Sequence, residues 1–243
     1  MNILDKGRFN SGLFTMMKKI NVIISWSSGK DAALTLWRLL NDPHYNVVGL
    51  YTTYVGEEVP FQATPIDVLK EQARLIGLPL TLIELPQVFP SNEVYQQTVI
   101  NGLKASGLNI QAVAFGDMFC NGIADYRKQY IEPEGWQCVF PLMGESSHKL
   151  AIEMITIGIK TKLVTVDTSQ CEAQYCGRWF DQELLEELPA DIDPCGENGE
   201  FHSLVMNASY FQAPLEVEWQ GIDKTERFYY QRYQLSDRTV CSD

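Results

Sequence analysis

The feature that most constrains this chain is the stretch over residues 20–40, where an unbroken apolar run gives way to short polar residues and then to a helical repeat. Ile20-Asn21-Val22-Ile23-Ile24-Ser25-Trp26 carries apolar groups on both faces, the pattern of a strand buried on both sides. Ser27-Ser28-Gly29-Lys30-Asp31-Ala32 follows, and residues 30–40 read as a helix with Ala33, Leu36, Trp37 and Leu40 on one face. A buried strand running through a short loop into an amphipathic helix is the first half of a βαβ unit.

The rhythm continues. Residues 46–54 form a second strand rich in Val, Tyr and Thr. In the next helix Thr64 is placed to cap, Pro65 suits the first position, Ile66, Leu69, Ala73 and Ile76 face inward, and Gly77 ends it. Residues 80–85 are a third strand, Ser91 caps a helix running to about Ala105, and residues 111–115 and 137–142 are the fourth and fifth strands. Ser147 opens a helix that stops at Gly158. Strands alternating with helices predict a parallel sheet, α/β in class, of about five strands flanked by helices. Ligands of such sheets bind beyond the carboxyl ends of the strands, which brings Ser27 to Asp31, Thr52 to Tyr54 and Gly116-Asp117 to one edge.

From about residue 160 the pattern changes to a strand at 163–166, a short helix at 181–188, a strand at 203–206 and a terminal hairpin or edge strands over 215–220 and 227–234. The division expected is therefore a larger α/β domain over 18–159 and a smaller α+β domain over 160–243 that closes over the crevice. Residues 1–17 match no periodic template, and Met16-Met17-Lys18-Lys19 reads like a bacterial translation start, so they are expected to be a flexible extension or a mis-called start.

Composition narrows the function. A net charge of −12 gives no strong nucleic-acid signal, because a broad phosphate-binding face needs clustered Lys and Arg. No apolar run approaches the roughly 18 residues of a membrane span, and no secretory signal is legible, so a cytoplasmic location is expected. Six cysteines, at 120, 138, 171, 176, 195 and 241, include no C-x-x-C pair and accompany only three histidines, a poor framework for zinc or iron–sulfur.

The loop after the first strand carries the chemistry. Its hydroxyl residues and Gly29 let backbone N–H groups turn toward an anion, and the helix behind presents its own unpaired N–H groups and partial positive charge. Lys30 adds a full charge that can follow charge developing on a leaving pyrophosphate. It is not a Walker A loop, which needs glycine where Ile24 stands and Ser or Thr where Asp31 stands. Asp31 suits such a cradle only if it serves Mg²⁺ or holds Lys30.

A second cluster runs Asp193-Pro194-Cys195-Gly196-Glu197-Asn198-Gly199-Glu200-Phe201-His202. Gly196 and Gly199 allow a tight turn that points Glu197 and Glu200 to one side, where paired carboxylates attract a cation, an ammonium group or ammonia. Cys195 reads as a thiol packed in that turn, not a nucleophile.

S-x-G-K-D after a first strand resembles the PP-loop of the N-type ATP pyrophosphatases, a branch of the HUP nucleotide-binding folds, here with Ser28 where a second glycine is common and Ala32 where Ser or Thr is usual. Together with Gly116-Asp117, Tyr126-Arg127 and G-E-N-G-E-F-H, it is similar to the diphthine–ammonia ligase family and its bacterial relatives, over about residues 18–212. The resemblance implies α–β cleavage of ATP, with Mg²⁺, to adenylate a carboxylate that ammonia or an amine then attacks. Carried over by position, Ser27, Ser28, Gly29, Lys30, Asp31 and Ala32, with Thr52, Gly116 and Asp117, would bind ATP. Lys30, Asp31, Asp117, Glu197 and Glu200 would form the catalytic set. Tyr126, Arg127, Glu197, Asn198, Glu200 and His202 would hold the acceptor or the amine, and adenine would lie near residues 51–53. The acceptor, a metal-ligand set and a homodimer are left open. The rival functions are an ATP-dependent nucleoside- or tRNA-modifying PP-loop enzyme and a nucleotide-binding regulator without turnover, the latter favoured by Ala32.

Overall fold

The alternation of faces along the first strand sets the architecture. In the computed structural model, which describes residues 18–60, 62–119 and 121–236, β1 (Ile20–Ser25) lies at the centre of a five-stranded parallel sheet. The extension expected over residues 1–17, and Cys120 and Cys241, lie outside the described residues. Val22 and Ile24 point to one apolar cluster and Ile23 to another on the opposite face, each fully buried. That double burial is why the run has no polar alternation.

On the first face α1 (Lys30–Asn41), which follows β1, packs down Ala33, Leu36 and Leu39. Leu39 takes the place expected of Leu40, which is 46% exposed, so the inner stripe is rotated by one residue at its end. β2 (Tyr45–Tyr54) pairs with β1 and is followed by two short strands, β3 (Glu58–Val59) and β4 (Thr64–Pro65), which pair with each other. α2 (Ile66–Ile76) comes next, with Pro65 at its N-cap position and Gly77 closing it at φ 80°. Thr64 does not cap this helix as expected, because its hydroxyl is taken by tertiary partners, Ser28 and Tyr233. The buried face of α2 is Val68, Leu69, Gln72, Ala73 and Leu75, leaving Ile66 and Ile76 half-buried.

β5 (Leu80–Glu84) lies outside β2; α3 (Asn92–Ala105), whose N-cap Ser91 Oγ accepts the Val94 N–H, covers the opposite face with Val99, Ile100 and Leu103. The chain then crosses to β6 (Ala112–Ala114) on the other side of β1, and β7 (Gln137–Val139) pairs beyond it. Between them α4 (Ile123–Ile131), not anticipated from the sequence, seals the second cluster with Tyr130 and Ile131. α5 (Ser147–Thr156) returns to the first face. The strand order β5-β2-β1-β6-β7 places a topological switch point between β1 and β6, and the carboxyl ends of those two strands are where a crevice opens in such sheets.

The rest of the chain forms an antiparallel sheet in the order β10-β11-β8-β9, from β8 (Lys160–Asp167), β9 (Phe201–Asn207), β10 (Val217–Lys224) and β11 (Phe228–Leu235), with α6 (Gln182–Glu187) beside it. The terminal hairpin read from the sequence is β10–β11. One apolar cluster runs without a break from Val22, Leu36 and Leu69 to Leu163, Val166, Leu204 and Tyr233. Burial of this kind contributes about 1.5–3 kcal/mol per large side chain. It binds the two sheets together as one core.

Candidate functional site at the switch point

The loop that joins β1 to α1 lies between the two sheets and is bonded to both. On the first-sheet side, Trp26 N donates to Tyr51 O at 2.7 Å, and Thr52 Oγ1 donates to Trp26 O. On the other side, Val205 N donates to Ser28 O at 2.9 Å, and Lys30 N donates to Ser203 Oγ at 3.2 Å. Gln72, fully buried on α2, accepts from Trp26 Nε1 at 2.9 Å and donates to Val205 O at 2.8 Å and to Ser28 O at 3.4 Å. A loop held from both flanks is preorganised, which is what an anion cradle requires.

Two backbone features shape the cradle. Ser28 has φ 70°, the left-handed region that glycine enters without cost. The position where a second glycine is common thus keeps the glycine conformation while carrying serine, whose hydroxyl meets Thr64 Oγ1 at 3.0 Å. Across the switch point Gly116 lies against the start of α1: a Cβ there would sit 3.1 Å from Asp31 C and 3.2 Å from Ala32 N. A side chain there would make that backbone give by a few tenths of an ångström, so glycine eases the approach of the segment after β6 to the loop.

Lys30 is 3% exposed and its Nζ donates to both Asp31 oxygens, at 2.8 and 2.9 Å, with the rings of Phe180 and Phe201 5.9 and 5.8 Å away. Burial opposes its charge, but Asp31 beside it holds its pKa above the ordinary lysine value. Asp31 therefore holds Lys30, one of the two roles expected of it.

Three clefts adjoin around this pair. One of about 490 Å³ is lined by Asp117, Met118, Phe119, Ile123, Tyr126 and Glu197 among others. A second, about 200 Å³, lies at the switch point among Ser25, Ser27, Asp31, Gly116, Arg127 and Glu197. The third, about 150 Å³, is bounded by Gly29, Lys30, Gln62, Glu197, His202 and Ser203 among others. Glu197 faces all three. Burial, then the negative charge of Asp31, raises its pKa to about 8, so at neutral pH it is mostly protonated. Burial and the nearby Lys30 lower His202 to about 4, leaving a neutral imidazole.

The second carboxylate of the 193–202 loop behaves differently from the expectation. Glu200 is 2% exposed and turned inward, accepting from Asp193 N, Asn198 N and Asn198 Nδ2 at 2.9–3.0 Å. The two glycines do not point both acids to one side; Glu200 knots the turn that presents Glu197. Asn198 is exposed with its amide spent on that knot. Cys195 is fully buried, its Sγ toward Ser147 O at 3.3 Å, and burial pushes its thiol pKa up. That matches a packed thiol, not a nucleophile.

Arg127 lies beside Asp117, Nε to Oδ2 3.3 Å, over the Phe115 ring at 4.7 Å, and donates to Tyr130 OH at 3.2 Å. Tyr126 lines the cleft of about 490 Å³. Ala32 is buried at the base of the second. Tyr51 and Thr52, at 1% and 3% exposure, prop the loop from behind, and Thr53 beside them is half-buried. The residues that sequence reading missed are Gln62, Gln72, Thr64 and Ser203, all brought to the loop from distant elements.

A parallel sheet with this order and a tight, lysine-bearing loop at its switch point defines a Rossmann-like α/β fold. Residues 146–239 match the family model described as the diphthamide synthase C-terminal domain, bearing out, for that part of the chain, the resemblance to the diphthine–ammonia ligases. Among solved structures, a match is found with the U34-tRNA thiolase NcsA from Methanococcus maripaludis with its 4Fe–4S cluster, at 17% identity, covering 59% of this chain and 59% of that one, with a TM-score of 0.38. No curated protein matches. Among the described residues, no helix is long and apolar enough to cross a membrane.

Proposed function

We propose that the protein is an ATP-dependent adenylating enzyme that cleaves ATP between its α- and β-phosphates and joins ammonia or an amine to a carboxylate acceptor. The observation that carries the reading is the preorganised loop at the switch point, with its buried Lys30 opening onto clefts that share Glu197. The family match over residues 146–239, which contains that glutamate, supports it.

In this reading the backbone of Ser27 to Gly29 and the first turn of α1 bind phosphate oxygens, and Lys30 neutralises charge as the α–β bond breaks. Mg²⁺ enters with ATP as part of the substrate. Asp31 and Asp117 are the carboxylates facing the phosphate side, while no group of three or more His, Cys, Asp or Glu among the described residues is arranged to hold a metal by itself. Arg127, in the switch-point cleft, steadies the activated carboxyl group. The large cleft beyond Asp117 takes the acceptor against Phe119, Ile123 and Tyr126. Glu197, between the acceptor and the phosphates, is placed to accept, in its deprotonated form, the proton that the nitrogen loses as it attacks, so the reaction is expected to quicken as pH rises toward 8.

The test is incorporation of label. Purified protein is incubated with Mg·ATP, ¹⁵N-ammonium and a small-molecule cell extract, and the extract is searched by mass spectrometry for a component that gains ¹⁵N only when ATP is present. A labelled component, absent with Lys30→Ala, is the expected result. ATP turnover with no ¹⁵N product contradicts ammonia as the nucleophile.

A further inference from the structure

The connection from β3 to β4 reaches the phosphate loop although nothing in the loop motif requires it. Gln62 is held there by its backbone: its N–H donates to Pro60 O at 2.8 Å, and its carbonyl accepts from Thr165 Oγ1 at 3.4 Å. The next residue, Ala63, has φ 50°; it and Ser28 are the only non-glycine residues with positive φ among the described residues. Ser28 Oγ contacts the side chains on either side of Ala63, Gln62 and Thr64. Strain of this kind persists where the surroundings over-determine it, often at ligand clamps.

The hydroxyls between these segments have a direction. Tyr233 OH donates to Thr64 Oγ1 at 3.1 Å, which leaves the Thr64 proton for Ser28 Oγ at 3.0 Å, and Ser28 Oγ donates to Gln62 Oε1 at 3.4 Å. Each hydroxyl gives one proton, so the relay fixes which way the Gln62 amide is turned. With Oε1 facing Ser28, the Nε2 donor is the atom left for the 150 Å³ cleft that Gln62 lines with Gly29, Lys30, His202 and Ser203. Donors thus converge on a small space: an ammonium, an amide, a hydroxyl and an imidazole. The two acids on its wall weigh little against an anion, since Asp31 is paired with Lys30 and Glu197 is mostly protonated.

We propose that Gln62 is a phosphate-binding residue in this cleft, oriented by the Tyr233–Thr64–Ser28 relay to reach the pyrophosphate portion of ATP. The inference rests on the nucleotide reading given above but adds a ligand contact from outside the loop. It predicts discrimination: Gln62 matters for ligands that carry the pyrophosphate group and not for AMP.

The experiment is calorimetric titration of the full chain with Mg·ATP, pyrophosphate and AMP separately. Gln62→Ala is expected to weaken ATP and pyrophosphate about tenfold, the scale of one hydrogen bond to a charged group, with AMP within about twofold. Gln62→Glu, which keeps the side-chain shape, is expected to weaken the first two further by repulsion and to leave AMP unchanged. Unchanged pyrophosphate and ATP binding in both variants, with wild-type melting curves, would overturn the assignment of Gln62, as would an equal loss for AMP. Failure of the wild-type chain to bind ATP or pyrophosphate at all would instead overturn the nucleotide reading on which it rests.

Discussion

Ser28 shows how one residue can carry two opposed demands. Its backbone wants glycine, at φ 70°, while its hydroxyl is buried and bonded to Thr64. A left-handed non-glycine residue costs about 1–2 kcal/mol, and an unsatisfied buried group about 1–3 kcal/mol. Ser28→Gly relieves the first and loses the second, so its stability in urea titration should lie within about 1 kcal/mol of wild type. Ser28→Ala keeps the strain and leaves Thr64 short of a partner, and should be the less stable of the two; the reverse order would refute the account of the loop. Titration supplies a second check. Glu197 is raised to about 8, so between the ordinary carboxyl range and pH 8 the folded state holds a proton that the unfolded state has lost, and stability falls as pH rises through that window. Glu197→Gln should remove that fall, gaining on wild type steadily up to pH 8 in denaturation at a series of pH values. His202 works the other way: lowered to about 4, it stays neutral below the ordinary histidine pKa, so stability is lost as pH falls from about 6.5 toward 4. Proton NMR of the three histidines should show one that stays neutral at pH 5.5 and titrates higher once an anion covers Lys30.

Gly116 is the critical contact at the scale of elements, because it lets the end of β6 touch the first turn of α1. Gly116→Ala forces backbone against backbone and should cost about 1–3 kcal/mol together with nucleotide affinity. Gly107→Ala, strained at φ 70° but facing open space, should cost stability alone. Equal nucleotide affinity in both variants would contradict the tight approach. How much of this was legible follows from what each element depends on. β1, α1, the Ser91 cap, the parallel sheet and the terminal hairpin could be read because period, caps and turns are local. α4 was missed because I-A-D-Y-R-K-Q-Y-I buries only two side chains and begins at Gly122 in the left-handed region, with no Ser or Asp to cap it. Thr64 was misread as a cap since its real partners, Ser28 and Tyr233, are 36 and 169 residues away. The same distance hid Gln62, Gln72 and Ser203, although Lys30 and Glu197 were plain in their motifs. Glu200 was found, but its inward turn depends on loop hydrogen bonds that no spacing reveals.

For the whole molecule, the loop between β1 and α1 is a joint product of both sheets. Ser28 and Lys30 bond to β9, and the apolar core is continuous from β1 to β11. A second unit swinging closed over the crevice, as the sequence suggested, would have to break those bonds at the loop it is meant to cover. Calorimetry should therefore give one cooperative unfolding transition, and residues 18–159 alone should fail to bind nucleotide; two separate transitions would restore the picture of independent domains. The measurement that tests the central claim most directly is the nucleotide product. Purified protein with Mg·ATP, ammonium and small-molecule extract should release AMP and pyrophosphate, and Lys30→Ala should release neither. ADP and phosphate from the wild-type protein would contradict the assignment of the loop and its chemistry.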